Sequence, residues 1–129
     1  MKNNRSFTLL ELTLVIAILG IFAVLLFPNY LASLARSRNA RRKGDIKALQ
    51  DGLEQYYSSC SYVYPTAGFT SIQCGTNPAI ISAIPVDPKD ASNYSYNPTG
   101  TAPNINGFSL CANKMEAESP TGYCVYSQQ

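Results

Sequence analysis

The groups capable of chemistry in this sequence are few enough to weigh one by one. Cys60, Cys74, Cys111 and Cys124 are the four cysteines, and none of them forms a C-x-x-C pair. An even set of scattered cysteines in a small, loop-rich region reads as disulfides formed outside the cytoplasm. Histidine is absent, which removes the commonest general base, the usual Ser and Cys activator, and most zinc sites. Ser, Tyr and carboxylates are present, but no nucleophile–base pair is visible, so no catalytic residue is expected. The nine Tyr and five Phe read as core and packing residues, not as an electron path. One carboxylate stands apart. Glu11 lies inside an apolar run, where a charge costs a few kcal/mol on insertion scales, about 2.5–3.5 at a span centre.

The element that holds Glu11 sets the class of the protein. From Phe7 to Phe27 the run is broken only by Thr8, Glu11, Thr13 and Gly20, and no charge occurs from Leu12 to Ala35. As a helix its 21 residues cover about 30 Å, the thickness of a bilayer's hydrocarbon core. A secretory signal would have a shorter apolar part ending in small residues. This run instead ends in Leu25-Leu26-Phe27-Pro28, so a retained membrane helix is expected. The basic residues after the span argue by count for a cytoplasmic C-terminal part. The cysteines argue for the opposite side, and they carry the orientation: the C-terminal part is expected outside the cytoplasm.

Charge is distributed unevenly over the 129 residues. Residues 1–47 carry eight basic and two acidic side chains, whereas residues 48–129 carry two basic and six acidic ones. That mildly acidic second part argues against nucleic-acid binding by the bulk of the protein. The basic run Arg36–Lys43 has three readings: a collar for anionic headgroups, a partner for acidic patches on neighbouring subunits, or an electrostatic DNA contact. No interleaved aromatics support DNA as a partner, and it is not expected.

The run Phe7-Thr8-Leu9-Leu10-Glu11-Leu12, followed by an apolar helix with Gly20, Pro28 and Tyr30, resembles type IV pilins and the pseudopilins of type II secretion. The resemblance implies a leader, Met1–Ser6, removed between Ser6 and Phe7 by a prepilin peptidase. It also implies N-methylation of Phe7, storage in the membrane, and assembly into a homopolymer by pilus or secretion machinery. Family members normally carry Gly before the cut, and this chain has Ser6. Glu11 would meet the α-amino group of a neighbouring subunit's Phe7, or that of its own Phe7 one helical turn away. Gly20 and Pro28 mark the turns expected to melt or kink.

Beyond the span, Ile46, Leu49, Leu53 and Tyr56 form one apolar helical stripe. Continued backwards it meets Arg42 and Asn39, which predicts a helix left bare there by its own head. One nearly continuous helix is expected from about Phe7 to about Ser58, with bends possible at Pro28 and Gly44. The divisions are a leader at 1–6, a helix at 7–58 and a stapled head at 59–129. Within the helix, 7–29 is the span and filament core, and 30–58 is amphipathic.

Residues 60–129 hold seven of eight prolines and five of eight glycines, so long helices are not expected there. A connecting loop, with a short helical turn near Pro78–Ala83, leads to strand candidates at Asn93–Asn97, Gly107–Ala112 and Tyr123–Ser127. Short connections favour an antiparallel meander on the helix stripe, an α+β pilin-like fold. The segment Ile84-Pro85-Val86-Asp87-Pro88, with Tyr94-Ser95-Tyr96, resembles the major pseudopilin.

Cys111 and Cys124 fall in successive strand candidates and are expected to pair, leaving Cys60 to close the connecting loop with Cys74. Pseudopilins often hold calcium between the last strands. Asn113, Glu116, Glu118 and Ser119 could supply oxygens, but their spacing forms no cage, so no metal and no cofactor is expected. The function expected is a major pilin of a type IV pilus. Its alternatives are a major pseudopilin of type II secretion, or a membrane-anchored surface domain that never polymerises.

Overall fold

In the computed structural model, residues 7–116 and 122–129 are described, apart from the side chains of Pro28 and Asn29. The leader with Ser6 lies outside these residues, as do Glu118 and Ser119. The chain divides into two compact units after Leu34.

One helix, α1, runs Leu9–Ser59 and belongs to both units. Its backbone continues as helix through Gly20, Pro28 and Gly44. In the first unit the described side chains from Phe7 to Leu34 are exposed, large apolar ones included. Apolar side chains at every position around a helix suit a lipid or protein surround, not water.

The second unit begins at Ala35. Ile46, Leu49 and Leu53 are buried in its core with Tyr64, Ile72, Tyr94, Ile105, Phe108, Leu110, Ala112 and Met115. Tyr56 packs against that cluster half-buried. Gly52 sits on the same stripe because a Cβ there would come within 2.5 Å of Ile81 Cδ1. The loop after α1 carries no helical turn at 78–83; Ile72 and Ile81 instead form an isolated antiparallel bridge.

Three strands follow: β1 (Ser95–Thr101), β2 (Asn104–Ala112) and β3 (Tyr123–Tyr126), in an antiparallel sheet of order β1-β2-β3. The fold is therefore α+β, a long helix with a small meander. β1 reaches beyond the expected Asn97 and includes Pro98. A proline fits because β1 is an edge strand, whose outer side needs no ladder donor. At Gly100 (φ 108°) the β1–β2 register shifts, and a Cβ there would meet the Asn104 carbonyl at 2.5 Å. β2 shows burial alternation, with Ile105, Gly107, Phe108, Leu110 and Ala112 buried. Cys111 lies directly opposite Cys124 in the β2–β3 register.

Candidate functional site

The first candidate site is the start of α1. Thr8 precedes the first helical residue, and Glu11 follows three positions later. The Thr8 backbone N–H and its hydroxyl both donate to Glu11 Oε2, each at 3.0 Å, and the Glu11 N–H donates to Thr8 Oγ1 at 3.2 Å. This is a capping box: the helix's first free N–H groups and the carboxylate satisfy one another. The signature was present in the order Thr8-x-x-Glu11, but a reading focused on the amine of Phe7 passes over it. Both bonds to the carboxylate fall on Oε2; among the described residues Oε1 accepts none. A carboxylate oxygen pair offers about four acceptor positions, so a cation can still approach Glu11 without breaking the cap.

The second site joins the helix to the head and corrects an expectation. Asn39 and Arg42 are 1 % and 0 % exposed, so the head covers the helix where a bare surface was expected. The reason is electrostatic. Arg42 donates from Nε to Asp87 Oδ2 (2.7 Å) and from Nη2 to Asp87 Oδ1 (2.9 Å). It also donates from Nη1 to Glu116 Oε1 (3.1 Å) and to Asn39 Oδ1 (2.8 Å). A guanidinium with four of its five N–H donors bonded to oxygens, three of those bonds to carboxylates, can enter a core that would reject it unpaired. Asn39 in turn brackets the backbone of Glu116, donating to its carbonyl at 2.6 Å and accepting its N–H at 2.9 Å.

Arg38 adds a two-pronged contact on Glu116, from Nε at 2.7 Å and from Nη2 at 2.6 Å. Lys89 approaches Glu116 at 3.4 Å. Hydrogen bonds from Arg38, then Arg42 and Lys89, hold the Glu116 carboxyl down at about 2. Arg42, helped by the Lys89 N–H at 2.9 Å, likewise holds Asp87 below the usual carboxylate range. The guanidinium of Arg42 is pushed up in return, chiefly by its bonds to Asp87. With both oxygens of Glu116 held by its own basic side chains, the residue does not fit a calcium ligand set. Among the described residues no cluster of three His, Cys, Asp or Glu could hold a metal.

Two of the five residues in the basic run are thus spent on the chain's own head. The motif Ile84–Pro88 by itself names no partner for Asp87. The available signal was an arginine on the apolar stripe, four residues before Ile46, which demands a buried acid from somewhere in the head.

The four cysteines form Cys60–Cys74 and Cys111–Cys124. The first closes the loop leaving α1, and the second crosses β2 and β3. Tyr64 N–H donates to Ile105 O at 2.9 Å and its hydroxyl to Glu54 Oε2 at 2.8 Å, fixing that loop between helix and sheet.

Comparison with known proteins adds to this geometry. Residues 1–27 match the family described as the prokaryotic N-terminal methylation motif. The type II secretion system core protein G of Vibrio cholerae is 33 % identical over 95 % of this chain and 90 % of that protein. The type IV major pilin protein PilA of Myxococcus xanthus is 42 % identical, over 43 % of this chain and 26 % of its own length. A fimbrial protein of Pseudomonas aeruginosa is 39 % identical over 42 % of this chain and 35 % of its own. No solved structure matches.

Proposed function

This chain belongs to the family of type IV pilins and type II secretion pseudopilins, and from that membership we propose that it is a structural subunit of an extracytoplasmic helical filament. The apolar helix and the methylation motif fit a membrane-anchored precursor. The single observation that carries the proposal is the bare first unit. Its exposed apolar side chains suit lipid before assembly and neighbouring copies afterwards, because either surround removes them from water.

In this reading a prepilin peptidase cuts between Ser6 and Phe7, and the new amine of Phe7 is methylated. The amine then meets Glu11 of a neighbouring copy. The Thr8 cap bears on that step. It keeps Oε2 hydrogen-bonded, which lowers the cost of storing a carboxylate in the bilayer, and it leaves Oε1 for the incoming ammonium. Melting of the turns between Gly20 and Pro28 belongs to the same proposal, since glycine and proline are the weakest helix formers. The head would act through its surface, with no catalytic role.

Similarity over nearly the whole chain to core protein G, against similarity to pilins over less than half, supports a major pseudopilin of a type II secretion system. The type IV major pilin is the second reading, supported by the two disulfides, which suit a head that stays in an oxidising exterior. Electron microscopy of filaments sheared from cells expressing this chain, with intact mass of their subunit, tests both. Long surface filaments favour the pilin and short or absent ones the pseudopilin. In either case the subunit should lack Met1–Ser6 and carry one added methyl. A mature protein that keeps Lys2 would contradict the processing step.

A further inference from the structure

Arg36, Arg38, Arg41, Arg42 and Lys43 crowd the helix just after the uncharged stretch. Arg38 and Arg42 are consumed by Glu116 and Asp87. Lys43 stands 5.9 Å over the ring of Tyr123. Arg36 and Arg41 are exposed and make no ion pair or hydrogen bond among the described residues.

Could a second copy of the chain supply their acids? The described carboxylates of the second unit are already in use. Asp45 accepts the Tyr94 hydroxyl at 2.8 Å, and Asp51 pairs with Lys47 at 3.2 Å. Glu54 accepts from Tyr64 and from the Gln128 N–H. Asp87 and Glu116 hold the arginines, and Asp90 holds Lys114. On a neighbouring head, each of these described acids already has a partner of its own.

The position of Arg36 along the helix suggests another anion. Leu12–Ala35 gives 24 uncharged residues, about 36 Å of helix against a hydrocarbon core of about 30 Å. Exposed Tyr30, an aromatic of the kind that settles at the membrane–water boundary, precedes Arg36 by six residues. Arg36 is thus the first charge to leave the bilayer, and Arg41 follows about 7.5 Å further along. Long basic side chains reach back along the surface to the headgroup level, and a guanidinium grips phosphate oxygens two at a time.

We propose that Arg36 and Arg41 bind the phosphate of anionic glycerophospholipid headgroups at the outer surface of the membrane and set the depth at which the subunit is stored. The proposal rests on the reading of the chain as a membrane-stored precursor. Extraction into a filament would then require these lipids to be released.

The test uses the full chain in mild detergent, with native mass spectrometry counting adducts of phosphatidylglycerol, phosphatidylcholine or inorganic phosphate. The chain should retain phosphatidylglycerol in preference to phosphatidylcholine, and inorganic phosphate should neither bind nor compete. Arg36→Gln and Arg41→Gln should each weaken that preference by about fivefold, while Lys47→Gln leaves it unchanged. Near-ultraviolet circular dichroism should be the same in all variants, because neither arginine touches the head. Equal retention of both lipids, an unchanged preference in the double variant, or competition by inorganic phosphate would overturn the proposal. Flotation with vesicles separates the two levels. A chain that floats without the preference refutes the lipid site alone; one that does not float refutes the membrane reading with it.

Discussion

Arg42 and Asp87 meet as a two-pronged pair across 45 residues of sequence, Nε to Oδ2 at 2.7 Å and Nη2 to Oδ1 at 2.9 Å. The arginine is fully buried on the helix, and the aspartate is 4 % exposed in the loop before β1. This pair, with Asn39 and Glu116, continues the apolar stripe of α1 in polar form. It fastens the head to helical turns that an apolar contact alone would leave uncovered.

Removing one partner leaves the other charge buried. Arg42→Met should cost about 3–5 kcal/mol of head stability, and Asp87→Asn should be similarly severe. The double variant Arg42→Met/Asp87→Leu should cost clearly less than the sum, because no orphaned charge remains. Urea unfolding of the full chain in detergent, followed by tyrosine fluorescence, measures all three. Strict additivity would contradict the coupling.

The same cluster sets a pH dependence. Asp87 and Glu116 are held below their ordinary values, Glu116 at about 2. Folding therefore favours their charged forms. The stability they contribute is complete above the unfolded carboxylate range, about pH 4–4.5, and is lost as the pH falls through the folded values toward 2. The urea midpoint should be flat from neutral pH down to about 5 and should fall steeply below 4. Arg42→Met should make that acid limb shallower, with Arg38 still holding Glu116; an equally steep limb in the variant would assign it to other groups.

Much of this fold is legible in the sequence. The period of Ile46, Leu49, Leu53 and Tyr56 marks the helix, and the Tyr-, Phe- and Val-rich runs mark three strands. β1 reads too short because Pro98 normally ends a strand, and only the sheet order reveals that it lies on an edge. The buried Arg42 is illegible for a different reason. Its acids lie 45 and 74 residues away, and no local pattern says which loops return to the helix. At Glu11 the sequence carries the charge and its cost openly, and the cap by Thr8 is readable from spacing alone.

The two disulfides close loops with separations of 14 and 13 residues. On the chain-entropy account, loops of that size contribute about 3 kcal/mol each. Non-reducing peptide mapping of the exported protein should recover Cys60–Cys74 and Cys111–Cys124 with no free thiol. Replacing Cys111 and Cys124 together by Ser should lower the urea midpoint without abolishing the sheet, whose β1–β2 ladder does not depend on them. Alkylation of any cysteine in the native protein would contradict the pairing.

Glu11 separates a polymerising subunit from a plain anchor. Glu11→Val removes the one carboxylate of the apolar run, so membrane levels should hold or rise if that run is stored in the bilayer. Glu11→Gln keeps an acceptor for Thr8 but removes the charge. If an incoming amine needs that charge, both variants should be processed normally and should form few or no filaments. Normal filament number and length in Glu11→Gln would show that only the cap matters, and normal filaments in both would reject the intersubunit role.

In an assembled filament, the bare first unit should be covered by other copies of this chain. A photo-crosslinking residue placed at Val24, exposed beside Gly20 on the apolar helix, tests it directly in cells that carry the assembly machinery. Irradiation should give a ladder of dimers, trimers and higher multiples of this chain, and Glu11→Val should collapse that ladder. A monomer band alone, with crosslinks only to lipid, would contradict the account.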